Sequence, residues 1–138
     1  IDTAGWMWRS WERAYGAETT RAIARANAAE APIDLTPRDP ADAAALAADT
    51  GGALLPTGSV RLSPGAKVVA LPGYEDGRFW VQDAAAAIPA RLLGDIRGKR
   101  VFDLCAAPGG KTMQLAAAGA EVIAVDSSGE RLKRVQEN

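Results

Sequence analysis

Histidine is absent from the 138 residues, and cysteine occurs once, at Cys105. Without imidazole and with a single thiol, the side-chain sets that hold zinc cannot be assembled within the chain, so no metal is expected, and an intramolecular disulfide framework is excluded. The sparse thiol content reads as that of a protein kept in a reducing compartment, the cytoplasm. An excess of either charge is lacking too. Sixteen Lys and Arg stand against seventeen Asp and Glu, for a formal net charge of −1, so any contact with a polyanion has to come from local features. No run approaches the roughly 18 apolar residues of a membrane span. The opening residues also lack the basic-then-apolar order of a signal peptide, so no membrane partner is expected. Alanine, by contrast, is plentiful: its 30 copies favour helices and a core built from small side chains around a few Leu, Ile, Val and Trp. The chain begins at Ile1 rather than Met and stops at Asn138 inside a helix that has just begun, which reads as a fragment of a longer protein.

Between Ala4 and Tyr15 the residues Met7, Trp8, Trp11, Ala14 and Tyr15 fall at helical spacing, which predicts a helix ended by Gly16. A second helix is predicted from about Glu18 to Ala29, with Thr19 as a candidate cap. Three Trp in six residues could form a base-stacking platform, but clustered Trp at this spacing reads first as core or interdomain contact. Arg9 with Arg13 and Arg21 with Arg25 form two i, i+4 pairs that could touch RNA phosphate; with Glu12 and Glu18 interleaved they read first as a solvated surface. Pro32 breaks the helix, and Ile33–Thr36 alternates as a short strand would. Asp39, Pro40 and Asp42 fit the N-cap, N1 and N3 positions of a third helix that runs through Ala48 and ends at Gly51–Gly52. Short extended pieces are then expected at Leu54–Leu55, Val60–Leu62, Val68–Leu71 and Phe79–Val81, separated by Pro- and Gly-bearing turns.

From Asp83 the pattern changes. Asp83 can cap a helix through Leu93, with Pro89 starting or kinking its second half. Arg100–Leu104 reads as a short buried strand, and Cys105–Thr112 as a glycine-bearing loop. A helix from Thr112 to Ala118 is closed by Gly119, a strand runs from Glu121 to Asp126, and Ser127 or Ser128 can cap a further helix carrying Leu132 and Val135. Strand, glycine-bearing turn, helix and strand ending in an acid is the opening βαβ of a doubly wound sheet. The expected fold is therefore α/β. A small α+β linker domain over residues 1–79 is followed, over residues 80–138, by the first βαβ of a Rossmann-like sheet.

The loop carries the chemistry. A P-loop needs Gly, four residues, then Gly–Lys–Ser/Thr; Gly110–Lys111–Thr112 supplies the end, but Cys105 stands where the first glycine belongs. Pro108 also removes a backbone N–H that a phosphate cradle would use. The dinucleotide fingerprint G-x-G-x-x-G is absent. What remains is a pair of adjacent glycines that lets backbone pass close to a ligand and, 14 residues after Thr112, Asp126 at a strand tip, where an acid can accept both ribose hydroxyls. That combination suits a nucleoside without a pyrophosphate, of which S-adenosyl-L-methionine is one. Lys111 opposes the macrodipole of the helix it opens, which points to a role for it beyond solvation. Asp103 is expected to brace the loop by accepting backbone N–H groups rather than to act as a base.

The run DLCAAPGGKT from Asp103 to Thr112, preceded by WVQDAAAAIPARLL and followed by VIAVDSSGERLKRVQEN, closely resembles the Nop/Sun family of RNA cytosine-5 methyltransferases, in particular its bacterial Sun/Fmu branch, which acts on small-subunit ribosomal RNA. The resemblance extends upstream, more weakly, through PGYEDGRFWVQD and GSVRL to the Trp-rich start, which is similar to the family's linker domain. The resemblance implies transfer of a methyl group from S-adenosyl-L-methionine to carbon 5 of cytosine in ribosomal RNA. It implies that Cys105, Ala106, Ala107, Pro108, Gly109, Gly110 and Lys111 wrap the methionine and ribose of the cofactor, that Asp126 binds the ribose hydroxyls, and that Gln82–Asp83 begin the segment packed over that site. It also implies that the two catalytic cysteines lie downstream of Asn138, that Cys105 is a cofactor-loop residue and no nucleophile, and that the fragment alone is inactive. Two parallel strands without further neighbours are not a stable sheet, so the fragment is also expected to self-associate. A non-catalytic RNA-binding or assembly module, and a divergent P-loop nucleotidase, are the rival readings.

Overall fold

The computed structural model describes residues 3–137. The chain divides into two compact units, residues 1–31 and 32–138. The first unit is a single helical stretch, α1 (Gly5–Ala28), broken at Gly16, whose φ of 80° and ψ of 164° lie where only glycine sits without strain. The two helices expected on either side of Gly16 are thus present. Met7, Trp8 and Trp11 are half-buried, whereas Trp6 and Tyr15 are exposed. Arg9, Arg13, Arg21 and Arg25 are all exposed, as a solvated surface requires.

The second unit begins with a four-stranded antiparallel sheet in the order β2-β3-β1-β4, built from β1 (Ile33–Pro37), β2 (Ala53–Leu54), β3 (Val60–Leu62) and β4 (Phe79–Val81). A single 3₁₀ turn (Pro40–Asp42) leads into α2 (Ala43–Thr50). Asp39 caps that turn through the N–H of Ala41, and Gly51 ends α2 in the left-handed conformation, as the Asp-Pro and Gly-Gly signals predict. The buried core on this side is Leu35, Leu46, Val60, Leu62 and Phe79. The expected alternation in β1 is not what burial shows: Asp34, Leu35, Thr36 and Pro37 are all buried. As a central strand, β1 has both faces covered, so an aspartate and a threonine sit inside. The extended piece expected at Val68–Leu71 is also absent; Val68–Ala70 forms a 3₁₀ turn instead. Val68 and Leu71, three residues apart, both reach the core from one side of that turn, and among the described residues no strand pairs with it.

Asp83 accepts hydrogen bonds from the N–H groups of Ala85 and Ala86 and so caps α3 (Ala84–Arg91), which contains Pro89. The chain then forms β5 (Arg100–Asp103), α4 (Gly110–Ala117), β6 (Glu121–Ala124) and α5 (Gly129–Glu137). β5 and β6 pair in parallel, with Val101 opposite Val122 and Phe102 opposite Ile123. This is the expected βαβ, and the architecture is the α/β class read from the sequence. A second small core of Ala90, Ile96 and Leu115, with Val101 and Val122 against it, lies between this pair of strands and helices α3 and α4. β5 is less buried than its sequence suggests: Phe102 is 59% exposed and the following Leu104 68%.

The division at residues 79 and 80 falls within β4, which pairs with β1. The two halves of the second unit are in fact tied together at that place. Asp34, on β1, receives two hydrogen bonds from Arg61, its partner across the β1–β3 ladder (2.7 and 2.8 Å), and one from the N–H of Ala84 at the start of α3 (2.9 Å). Its backbone carbonyl accepts from the N–H of Gln82. Arg61 holds the carboxyl of Asp34 below its ordinary value of 3.8.

Candidate functional site

The loop between β5 and α4 is held from the strand that follows it. The N–H of Ala106 donates to the carbonyl of Val125, and that of Val125 to the carbonyl of Asp103 (3.0 and 2.8 Å), so the parallel ladder carries on past the ends of β5 and β6. One step further, the N–H of Ala107 donates to Oδ2 of Asp126 (3.0 Å), while Oδ1 accepts from the N–H of Ser128 (3.0 Å). Arg131, in the first turn of α5, donates to the carbonyl of Ala107 (2.9 Å) and lies 3.8 Å from Asp126. The N–H groups of Ser128 and Ala107, with a weaker pull from Arg131, keep the Asp126 carboxyl below its ordinary 3.8, so it is ionised and purely an acceptor at neutral pH. Its side chain is only 5% exposed.

Asp103 accepts a hydrogen bond from the hydroxyl of Thr112 (2.7 Å). It braces the loop, but through a side-chain hydroxyl rather than the backbone donors expected from the sequence. With its hydroxyl engaged there, Thr112 is not presented as a metal ligand would be in a P-loop. Gly109 adopts φ 118° at the N-cap of α4, and a Cβ there would stand 3.4 Å from the Cα of Val135. Its backbone conformation therefore calls for glycine, while a Cβ would make only ordinary contact with α5. Gly110 faces Gln82, whose side chain would lie 3.5 Å from an added Cβ. This places Gln82 beside the start of α4. Gln82 is buried within a relay. The indole N–H of Trp80 donates to its oxygen, its amide donates to Gln114, and the Gln114 amide donates to the carbonyl of Ala87 on α3.

Of the eight residues singled out for cofactor binding, Ala107 and Asp126 are joined by a direct hydrogen bond, and Ala106 is bonded to Val125, the neighbour of Asp126. Pro108 and Gly110 instead line a cleft of about 680 Å3, together with Met113 and with Tyr74, Phe79 and Trp80 from the segment around β4. Cys105 and Lys111 are exposed and line neither that cleft nor the Asp126 cluster. A cleft of this size falls in the range of small-ligand pockets. With glycine backbone on one side and an ionised acid behind the loop, the residues present fit a nucleoside-type ligand. Sequence reasoning missed Arg131, which locks Ala107 to Asp126, and Asp34. The only sign of Arg131 in the sequence is its place one turn inside a helix opened by the capping residue Ser128.

Comparison with solved structures places the fold. The chain matches the crystal structure of PH0851 over 96% of its own length and 32% of that chain, with a TM-score of 0.74 and 22% identity. It matches a methyltransferase homologue from Pyrococcus horikoshii over 89% of its length and 44% of the other, with a TM-score of 0.70 and 23% identity. The fold is thus the one found in a methyltransferase homologue. Sequence narrows this further: residues 90–138 match the family model of 16S rRNA methyltransferase RsmB/F. The ribosomal RNA small subunit methyltransferase B of Cronobacter sakazakii is 50% identical over 82 residues, and that of Shigella sonnei 49%. In both cases the match takes in 58% of this chain and 19% of the relative, so the chain spans about a fifth of the length of these curated relatives. The family resemblance read from the loop is borne out: residues 90–138 are similar to the RsmB/F methyltransferases.

Proposed function

We propose that this chain carries the cofactor-loop portion of an RNA methyltransferase that transfers a methyl group from S-adenosyl-L-methionine to carbon 5 of cytosine in small-subunit ribosomal RNA, in the cytoplasm. The observation that supports this most is the loop from Asp103 to Thr112, fastened at Ala107 to an ionised Asp126 and opening through Pro108 and Gly110 onto a cleft. The methyl donor, when bound, supplies an electrophilic methyl group. The chain's own residues do the holding. Asp126 offers its ionised carboxylate to the ribose hydroxyls, Cys105 to Lys111 wrap the ribose and methionine, and Gln82 closes over Gly110. Cys105 belongs to this loop and is not the nucleophile. Residues 80–138 then form the catalytic part and residues 1–79 the linker, joined through the shared ladder of β1 and β4.

Calorimetric titration of the whole methyltransferase, of which this chain is a portion, with S-adenosylmethionine, S-adenosylhomocysteine and ATP tests the ligand assignment; the 138-residue chain alone is expected to bind the adenosyl ligands poorly. Binding of both adenosyl ligands with no measurable ATP binding is expected, because Cys105 replaces the first P-loop glycine and Pro108 lacks a donor. ATP binding of comparable strength without adenosyl binding would instead establish the nucleotidase reading. RNA binding with no adenosyl ligand bound would favour an assembly module.

The 138-residue chain by itself is expected to self-associate. Among the described residues the β5–β6 pair has no further strand on either side, and Phe102, Leu104 and Val125 (44% exposed) stand uncovered. Light scattering on the purified chain should give a mass above 14.4 kDa, and a monomer with a cooperative thermal transition would refute this.

A further inference from the structure

A second cleft, of about 490 Å3, lies between the first sheet and helices α3 and α4. Its lining includes three arginines, Arg38, Arg91 and Arg97, and not one acidic residue, although the whole chain carries one more acid than base. None of the three is in an ion pair among the described residues. Arg38 makes one long hydrogen bond, 3.4 Å, to the carbonyl oxygen of Asp76. No side-chain hydrogen bond of Arg91 or Arg97 is found among the described residues. Two threonines of the lining tell the same story from the neutral side. The hydroxyls of Thr36, which is 3% exposed, and Thr57 are both buried without a hydrogen-bond partner among the described residues. Buried hydroxyls are ordinarily satisfied, so these two leave hydrogen-bonding capacity unused at the wall of the cleft. Unpaired guanidinium groups and unsatisfied hydroxyls together describe a site for an anion with several oxygens.

The rest of the lining says which anion. Ile96, Leu115 and Ala118 make an apolar floor, and Trp80 lines this cleft and the cleft at the cofactor loop alike. A compact inorganic anion has no use for an apolar floor, whereas a sugar–phosphate chain sets its ribose and base faces on such a surface. The shared Trp80 makes the two clefts neighbours, so a polymer lying in the first passes beside the second.

We propose that this cleft seats the backbone of the RNA substrate, with Arg38, Arg91 and Arg97 pairing its phosphates beside the methyl-transfer site. The assignment rests on the RNA methyltransferase reading above and names the part of the protein that holds the substrate.

The test measures the affinity of the protein for a short fluorescein-labelled single-stranded RNA by anisotropy at several salt concentrations. It compares the wild type with the Arg91→Gln/Arg97→Gln double variant. Both side chains are exposed, so folding should survive, which circular dichroism checks. The double variant should bind about tenfold or more weakly, and the slope of log affinity against log salt should shrink by about 1.4, or about 0.7 per lost phosphate contact. Calorimetric binding of S-adenosylmethionine should be unchanged. The exposed pair Lys133 and Arg134 on α5, changed to Gln together, removes the same charge elsewhere and should leave RNA affinity within about twofold.

Unaltered affinity and slope in the Arg91/Arg97 variant, or an equal loss in the Lys133/Arg134 control, would overturn the proposal, as would a wild type that binds no RNA. Displacement of the RNA by a polyglutamate peptide as readily as by unlabelled RNA would overturn it in favour of an acidic protein partner. A wild type that binds RNA through these arginines but takes no adenosyl ligand would keep the cleft and sink the enzyme reading, so the two can fail separately.

Discussion

Asp34→Ala should lower the midpoint of thermal unfolding by on the order of 10 °C, followed by circular dichroism. Three hydrogen bonds converge on this carboxylate, whose side chain is 2% exposed. Its removal has unequal consequences for the partners. Arg61, at 42% side-chain exposure, regains water and loses little. The N–H of Ala84 lies in a buried contact and is left without an acceptor, and an orphaned buried donor costs about 1–3 kcal/mol. A net loss of about 2 kcal/mol is therefore expected, which in a domain of roughly this size is several degrees per kcal/mol. Asp34→Asn keeps an acceptor for Ala84 and should lose about half as much.

The same carboxylate sets an acid dependence. Because Arg61 holds its proton affinity below the ordinary 3.8 in the folded protein, the unfolded chain binds more protons than the folded one as pH falls. The stabilisation is complete above about pH 3.8 and is lost as the pH drops further, through the depressed folded value. Asp34→Asn should be less sensitive than the wild type in that range. An equal slope in the two proteins would show that other carboxylates carry the acid response.

Asp126→Ala should weaken binding of S-adenosylmethionine about tenfold or more, by calorimetry. On the proposed assignment an ionised acceptor is lost from the ribose hydroxyls, and at the same stroke the N–H groups of Ala107 and Ser128 lose their acceptor and Arg131 its counter-ion. The two contributions separate in a second variant. Arg131→Ala leaves the carboxylate in place and removes the hold on the Ala107 carbonyl, so it should weaken binding less than Asp126→Ala while raising amide exchange at Ala107. An unchanged dissociation constant in Asp126→Ala would reduce that residue to a strand-end turn former. Equal losses in the two variants would mean that Asp126 acts only by anchoring the loop.

Much of this was legible in the sequence because it was written in local chemistry. Gly16, Asp39, Asp83, Gly51 and Gly119 punctuate helices by rules that need no partner, and every one of them acts where the sequence puts it. The βαβ with its glycine loop and terminal Asp126 was equally plain, since a strand, a turn and a helix each declare themselves within ten residues. What stayed hidden depended on distance. Asp34 looks like the polar position of an alternating strand; only the arrival of α3 on the second face of β1 makes it a buried junction. Val68–Leu71 has the hydrophobicity of a strand and no neighbour to pair with. Asp103 was read correctly as a brace, but its donor turned out to be a hydroxyl nine residues away. The three arginines of the second cleft come from places as far apart as Arg38 and Arg97, and nothing in the spacing hints that they meet.

The way the cofactor loop is fastened has a consequence for how the protein is made. Ala107 is held by Asp126, 19 residues later, and by Arg131, 24 residues later. Chains are synthesised from the N-terminus at a modest pace and fold by units as they emerge. The glycine loop leaves the ribosome well before the groups that shape it. Until β6 has docked beside β5 and the first turn of α5 has formed, the backbone of Ala107 has neither its acceptor nor its donor partner. On the proposed assignment, competence to grip a nucleoside is therefore acquired late, when these partners arrive together. A nascent chain arrested between Gly119 and Asp126 would hold the complete motif and none of its architecture.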